Sequence, residues 1–368
     1  MPDVMPTSAL LFMLAATLAS IGALLVLFER HVGGTPLLAY QPRQRVPWQS
    51  GIVMLVMLLT FSGVIFTLSG AGQDPHDLTE AVIDPEYDDP QLVGEPDTES
   101  SPVPEDSVEE EVSAQDFILN SLGTTVFLIL LVVVIGVWLH LSVGANSIDL
   151  GLPQSGEQVL HDIGIGSVAC AAALLPIYVI QLGLTILLQP EVEHPIVEQL
   201  SESHSPGMLL AGFLLVVVAA PLGEEFVFRL LLQGWLERWE DEMVGFTGSD
   251  RRSSEESSEL DGEVPAAIEE SIVGVDDGQP LTFPAEHLPL PRQGVLATLP
   301  HGWVPILISG ILFGLAHLGH GVSPVPLVLF GIVLGYLYQR THRLVPSIAA
   351  HALFNAYSMI MLWLQLGD

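Results

Sequence analysis

The chain contains no lysine: its ten basic residues are all arginine, set against 43 Asp and Glu, for a formal net charge of −33. Cations this scarce exclude a nucleic-acid surface, because a phosphate backbone would be repelled rather than neutralised. Cysteine is represented only by Cys170. One thiol makes no intramolecular disulfide, and no Cys-rich metal pattern exists. Cys170 lies among Ala and Val with no base beside it, and so reads as a small buried hydrophobe rather than a nucleophile. Also missing are a Gly-x-Ser-x-Gly elbow, a phosphate-cradling glycine loop and a His-Glu-x-x-His helix. Their absence removes the commonest serine-hydrolase, nucleotide-driven and zincin readings.

What the chain has is apolar length. Of 368 residues 49% are apolar, gathered in runs at 8–28, 48–69, 117–141, 163–188, 208–236, 303–319, 323–339 and 344–366. Runs of this kind match the roughly 20 residues needed to cross about 30 Å of hydrocarbon. Lipid cannot satisfy open strand edges, so the runs are helices. The expected fold is all-α: a polytopic membrane protein with about eight transmembrane helices, the sixth and seventh short and interrupted by glycine. The first run is read as a span and not a signal peptide, since it lacks a basic leader and is too long for one.

Charge lies between these runs. Residues 71–116 hold sixteen Asp or Glu and no Arg, and 240–300 hold fourteen acids; both read as disordered, solvated acidic loops. The arginines fall at 30, 43 and 45, at 238, 251, 252 and 292, and at 340 and 343. With eight spans, these three loops share one side, which the positive-inside rule makes cytoplasmic. Both termini and loop 71–116 are then outside. The lysine-free acidic style suggests a prokaryotic plasma (inner) membrane. The organisation expected is a two-span segment at 1–70, the acidic loop at 71–116, a further span and connection at 117–160, and a core at 161–368 carrying the 240–300 insert.

The remaining arginine belongs to Glu224-Glu225-Phe226-Val227-Phe228-Arg229, three charges in a run otherwise fit for lipid. Each costs about 2.5–3.5 kcal/mol at a bilayer centre on insertion scales, so the cluster needs a purpose. Glu225 and Arg229 are four apart on one helical face and suit an ion pair. Glu224 is rotated by about 100° from Glu225 and lacks that partner. A carboxyl desolvated without a partner is a proton acceptor in waiting, so Glu224 is the candidate reactive acid. Pro221 and Gly223 can loosen the helix just before it. Further along, Phe313 and His317 share a face, as do His351 and Asn355. Small residues at 310, 314, 316, 349, 350 and 352 let those helices approach closely.

Glu-Glu-x-x-x-Arg at 224–229, Phe-x-x-x-His at 313–317 and His-x-x-x-Asn at 351–355, in this order on late spans, resemble the three motifs of the CAAX-processing and bacteriocin-processing protease family (CPBP, or Abi), which includes proteins like the prenyl endopeptidase Rce1. The resemblance covers about 160–366, and Asp149-Leu150-Gly151-Leu152 fits the way such cores begin. It implies an intramembrane endopeptidase in which Glu224 and His317 activate a water while His351 and Asn355 form the oxyanion hole. Glu225 and Arg229 are then supporting residues, Phe313 is packing, and no cofactor is required. The implied partners are a peptide or protein substrate near the membrane and the bilayer itself.

Three alternatives remain in the sequence. Glu224, His317 and His351 can be drawn as a two-His, one-carboxylate zinc site. A non-proteolytic role in bacteriocin immunity or scaffolding would keep the motifs for packing. Intramembrane Glu and His also describe a proton relay, although no second copy of Glu-Glu-x-x-x-Arg suggests the internal repeat of a transporter. Of the other histidines, 140, 161, 320 and 342 read as interfacial, and 194, 204, 287 and 301 as loop residues with no partner in sequence. Trp48, Trp138, Trp303 and Trp363 read as belt anchors at span ends.

Overall fold

The computed structural model describes residues 5–41, 45–68, 105–189, 205–243, 301–318 and 322–366. Eight helical rods fill them, and no strand occurs among the described residues. They are α1 (Thr7–Val32), α2 (Ser50–Leu68), α3 (Glu105–Val143), α4 (Gly156–Leu188), α5 (Pro206–Met243), α6 (Trp303–Leu315), α7 (Pro324–Thr341) and α8 (Leu344–Leu366). Each expected span thus has its rod, but only five rods, or long parts of them, are long and apolar enough to cross a bilayer: α1, Ala114–Val143, α4, α5 and Leu344–Gln365. The 13 residues of α6 cover only about 20 Å at 1.5 Å per residue. Among the described residues, length and apolarity thus support five crossings and leave the count of eight unconfirmed. Residues 105–116, expected in the acidic loop, are instead the opening turns of α3. The rest of that loop and the insert from 244 to 300 lie outside the described residues.

Local chemistry sets the helix ends. Ser155 and Ser205 cap α4 and α5, their hydroxyls accepting from the backbone N–H of Gln158 and Met208 at 3.2 Å, and Pro206 sits at the first helical position of α5, where no N–H is missed. His342 ends α7 in the left-handed conformation, φ 51°, turning the chain directly into α8.

The core is built from α4 through α8. In it, α6 lies on α7, α4 on α7 and α8, and α5 on α6 and α8, while α3 flanks the first half of α5. Glycine permits the close approaches. A Cβ at Gly314 would come within 2.4 Å of Val328 and 2.7 Å of the Pro324 carbonyl, and one at Gly166 within 2.5 Å of the Pro346 carbonyl and 2.8 Å of Ala349 Cβ. This is the small-residue packing that replaces the hydrophobic effect between helices in lipid. Cys170 is buried in the same core, as its neighbours in sequence suggested.

Among the described residues, the segments carrying Arg45, Arg238, Arg340 and Arg343 meet at one end of the bundle. Arg343 forks onto Asp162, Nε to Oδ2 at 2.7 Å and Nη2 to Oδ1 at 2.6 Å, and also donates to Gln41 Oε1. Arg238 Nη1 gathers the carbonyls of Val46, Pro47 and Trp48 at 3.2–3.3 Å. Three sequence readings change here. His342 is not interfacial: it is buried, with Nδ1–H donating to the Gln41 carbonyl at 2.7 Å and Nε2 lying 3.2 Å from Glu237. His301 does have partners, Asp241 at 2.9 Å and Glu240 at 3.6 Å. Trp48 is no belt anchor but fully buried, its indole donating to the Leu231 carbonyl at 3.2 Å. Each contact joins residues distant in sequence, so none has a local signature.

Gly166→Ala is expected to lower stability by about 1–3 kcal/mol, because the new methyl meets the backbone of α8 and not a flexible side chain. Gly164→Ala, with nothing within 4 Å of its Cβ, serves as the control and keeps or raises the melting temperature in detergent.

Candidate active site

The site begins with an irregularity in α5. Residues Leu214–Ala219 and Phe226–Gln233 are wound as π-helix, with Ala220–Glu225 as α-helix between them. Such wide turns inside α-helices recur at functional sites. Here one cause is Pro221, which has no N–H to give. In the first π-turn the Ala220 N–H bonds the Leu215 carbonyl, five residues back. By the same register the Val216 carbonyl would look to residue 221, and finds proline. Asn355 on α8 supplies the missing donor, its Nδ2 reaching Val216 O at 2.8 Å.

One turn further, Glu225 and Arg229 are both wholly buried and form the expected pair, Nε to Oε2 at 3.1 Å. Two contacts that the sequence did not announce complete it. The His351 Nδ1 lies 2.9 Å from Glu225 Oε1. Arg229 Nη1 donates to Ser309 Oγ on α6 at 2.7 Å, and that hydroxyl donates onward to the Phe228 carbonyl at 2.9 Å. The guanidinium also faces the Phe313 ring, 5.1 Å from its centroid. Phe313 in turn borders both histidine rings, at 5.0 Å from His317 and 5.5 Å from His351. It packs, as expected, but it packs against every member of the cluster that carries charge or a proton except the glutamates.

Glu224 stands apart on the open side, 30% exposed at the side chain, with its Oε2 buried and without a hydrogen-bond partner. That oxygen is 3.8 Å from His317 Nε2 and 3.8 Å from His351 Nε2. The donors on the far side of both rings are fixed by chemistry. A carbonyl and a carboxylate only accept, so Nδ1–H of His317 donates to the Phe313 carbonyl at 2.8 Å and Nδ1–H of His351 donates to Glu225. Neutral, each imidazole therefore presents the lone pair of Nε2 towards Glu224. Protonated, each adds an N–H there.

Three helices thus bring together Glu224, Glu225, Arg229, His317 and His351. Asn355 is tied to the same α5 segment through Val216. With Arg229 charged and both carboxyls ionised, the cluster carries one surplus negative charge. Among the described residues no three His, Cys, Asp or Glu side chains are spaced to hold a metal ion, although His317 and His351 have the oriented Nδ1–H bonds that metal-ligating imidazoles also show. His320 lies outside the described residues.

The last three helices carry a further piece of information. Residues 290–357 match the family described as type II CAAX prenyl endopeptidase Rce1-like. The Rce1-like match takes in His317, His351 and Asn355 and leaves Glu224, Glu225 and Arg229 to its N-terminal side. Such a family is one of peptide hydrolases, and with five membrane-length apolar helices the chain is an integral membrane protein. No curated protein and no solved structure matches it.

Sequence reading missed Ser309 and Val216. Ser309 did leave a trace: it is a polar residue within an apolar run, four before Phe313 and eight before His317, on the face that carries both. Val216 left none, since a backbone carbonyl has no signature.

Glu225→Gln is expected to destabilise the protein by about 3–5 kcal/mol, because it strands a buried guanidinium. Glu224→Gln, at a half-open position, leaves the melting temperature nearly unchanged. Asn355→Ala should cost about 1–3 kcal/mol by exposing no new donor to the buried Val216 carbonyl; a thermal melt of the three variants in one detergent orders them.

Proposed function

We propose that the chain is an intramembrane endopeptidase of the CAAX-protease and bacteriocin-processing type, cleaving peptides or proteins that lie close to the membrane. The observation that carries this reading is Glu224 Oε2, buried, unpartnered and 3.8 Å from Nε2 of two histidines. Those distances are too long for direct hydrogen bonds, and both imidazoles face the same carboxylate oxygen.

Glu224, assisted by His317, takes a proton from that water as its oxygen attacks the peptide carbonyl. The carbonyl carbon becomes tetrahedral and its oxygen negative. His351, in its protonated form, donates Nε2–H to that oxygen, with the Glu225 carboxylate behind it as counter-charge. One of the two amide hydrogens of Asn355 is committed to Val216, which leaves the other for the same oxygen. The C–N bond then breaks, and the proton held by Glu224 passes to the leaving amine. Two products result, a carboxylic acid terminus that gives its remaining proton to solvent and an amine terminus, and the cluster returns to its starting charge.

No step in this scheme uses a metal. The orientation read from the arginines makes the protein multi-pass with the arginine-rich end cytoplasmic, as in a prokaryotic inner membrane, and Glu224 lies past the middle of the apolar run 208–236, towards that end. Substrates then enter from the cytoplasmic leaflet, as lipid-anchored or leader peptides would. The acidic segments 71–104 and 244–300 are accessory to this chemistry, and no nucleic acid takes part.

Replacing Glu224 by Gln is expected to reduce cleavage by about 10²–10⁴-fold, read as the loss of specific membrane-proximal peptide termini when cells carrying the variant are compared with wild type. Identical termini in both strains, with the variant present in the membrane, would instead favour a non-proteolytic scaffold. Cleavage that stops with a membrane-permeant chelator and returns with zinc would replace the glutamate scheme by a metal-dependent one.

A further inference from the structure

The bonds around Arg229 run in one direction only. A guanidinium has no acceptor, a backbone carbonyl has no donor, and an ionised carboxylate only accepts. Ser309 O–H must therefore point at Phe228 O, which turns the oxygen's lone pairs to Arg229 Nη1. Arg229 Nε then engages one oxygen of Glu225, and the other oxygen is left for His351 Nδ1–H. Ser309, Arg229 and Glu225 are each fully buried, and His351 nearly so, so no solvent competes for these positions.

We infer that Ser309 is a positioning residue of the candidate active site: by anchoring Arg229 Nη1 it fixes the rotation of the guanidinium at which Nε alone meets Glu225, and so leaves the other carboxylate oxygen to His351 Nδ1–H and its Nε2 aimed at Glu224. The alternative arrangement is a strong one. Arginine and carboxylate prefer a two-pronged pair, and Arg229 Nη2 already lacks a partner. Without the serine oxygen, the guanidinium turns to pair both prongs with Glu225. His351 Nδ1–H then shares its oxygen with a charged donor, which weakens its hold and lets the neutral ring carry hydrogen on Nε2. The ring is then no longer held against the carboxylate that serves as counter-charge when its protonated form donates Nε2–H. Ser309 does not touch the reacting atoms; it acts through two intermediaries.

The role of Ser309 rests on the reading of Glu224 and His351 as reacting groups, but its signature does not require turnover. In protein labelled with ¹⁵N-histidine and held in lipid bilayers, the ring nitrogens of His351, assigned by their loss in His351→Gln, report which nitrogen bears hydrogen. Wild type is expected to show Nδ1 protonated at every pH where the protein is folded. Ser309→Ala should show a neutral population with hydrogen on Nε2, together with a loss of cleavage of about 10-fold or more, as when a histidine's orienting bond is removed. Ser309→Thr keeps the hydroxyl and should restore both. If the alanine variant does not fold, Ser309→Cys fills the same space with a weak acceptor and takes its place with the same expectation. An unchanged Nδ1–H pattern in the alanine or cysteine variant, whatever its cleavage, overturns the assignment, as does a folded threonine variant that behaves like alanine. Cleavage that survives Glu224→Gln while the histidine pattern changes as expected would refute Glu224 as the reactive acid and leave the relay standing.

Discussion

Everything at this site depends on the Glu225 carboxylate being shared. It is wholly buried between two donors, Arg229 on its own helix and His351 on α8. An isolated carboxylate would be expelled from such a place at a cost of several kcal/mol. Shared, it joins α5 to α8, orients an imidazole, and leaves its neighbour Glu224 with no partner of its own. The sequence places the two acids side by side, and a helix sends consecutive residues in directions about 100° apart. One therefore turns inward to be neutralised and the other outward to the gap between the histidines. Adjacent residues of the same type thus do different work, and rotation about one helix axis is enough to separate them.

The sequence disclosed the parts of this arrangement that follow from period and cost. Three charges in a lipid-length run, a spacing of four between Glu225 and Arg229, and imidazoles at 317 and 351 all stand out against an apolar background. The helical class follows from run length, though the number of crossings does not, because α6 is helical and apolar without being long. The contacts that stayed hidden are those between a side chain and a distant backbone group. Trp48 with Leu231, Asn355 with Val216, and His342 with Gln41 each join a recognisable residue to a carbonyl that any residue could have supplied. His301 and His342 were misread for the same reason: their partners are on segments that meet only after the bundle has formed.

Burial, more than proximity, explains why so few groups suffice. Phe313 and Phe330 close around His351, edge-on at 5.5 and 5.7 Å, and Phe228 stands against Phe313 at 5.4 Å. These rings keep water from the inner side of the cluster, where each hydrogen bond is stronger for the low dielectric and each missing one is dearer. Glu224 and His317, with side chains 30% and 24% exposed, form the wetter side. The site therefore has a dry half that holds position and a wetter half that can exchange protons.

The bond from Asn355 to Val216 also links two parts of the chain as units of inheritance. The amide is called for because residue 221 is a proline whose absent N–H leaves a carbonyl open five residues earlier. With an ordinary residue at 221 that carbonyl closes on its own helix, and an asparagine 134 positions later has nothing to mend. Pro221 and Asn355 are in this sense one character written in two places: a lineage that lost the ring at 221 would free the amide at 355 from its structural duty, whereas one that lost the amide first would carry an unsatisfied backbone in the wall of the candidate site.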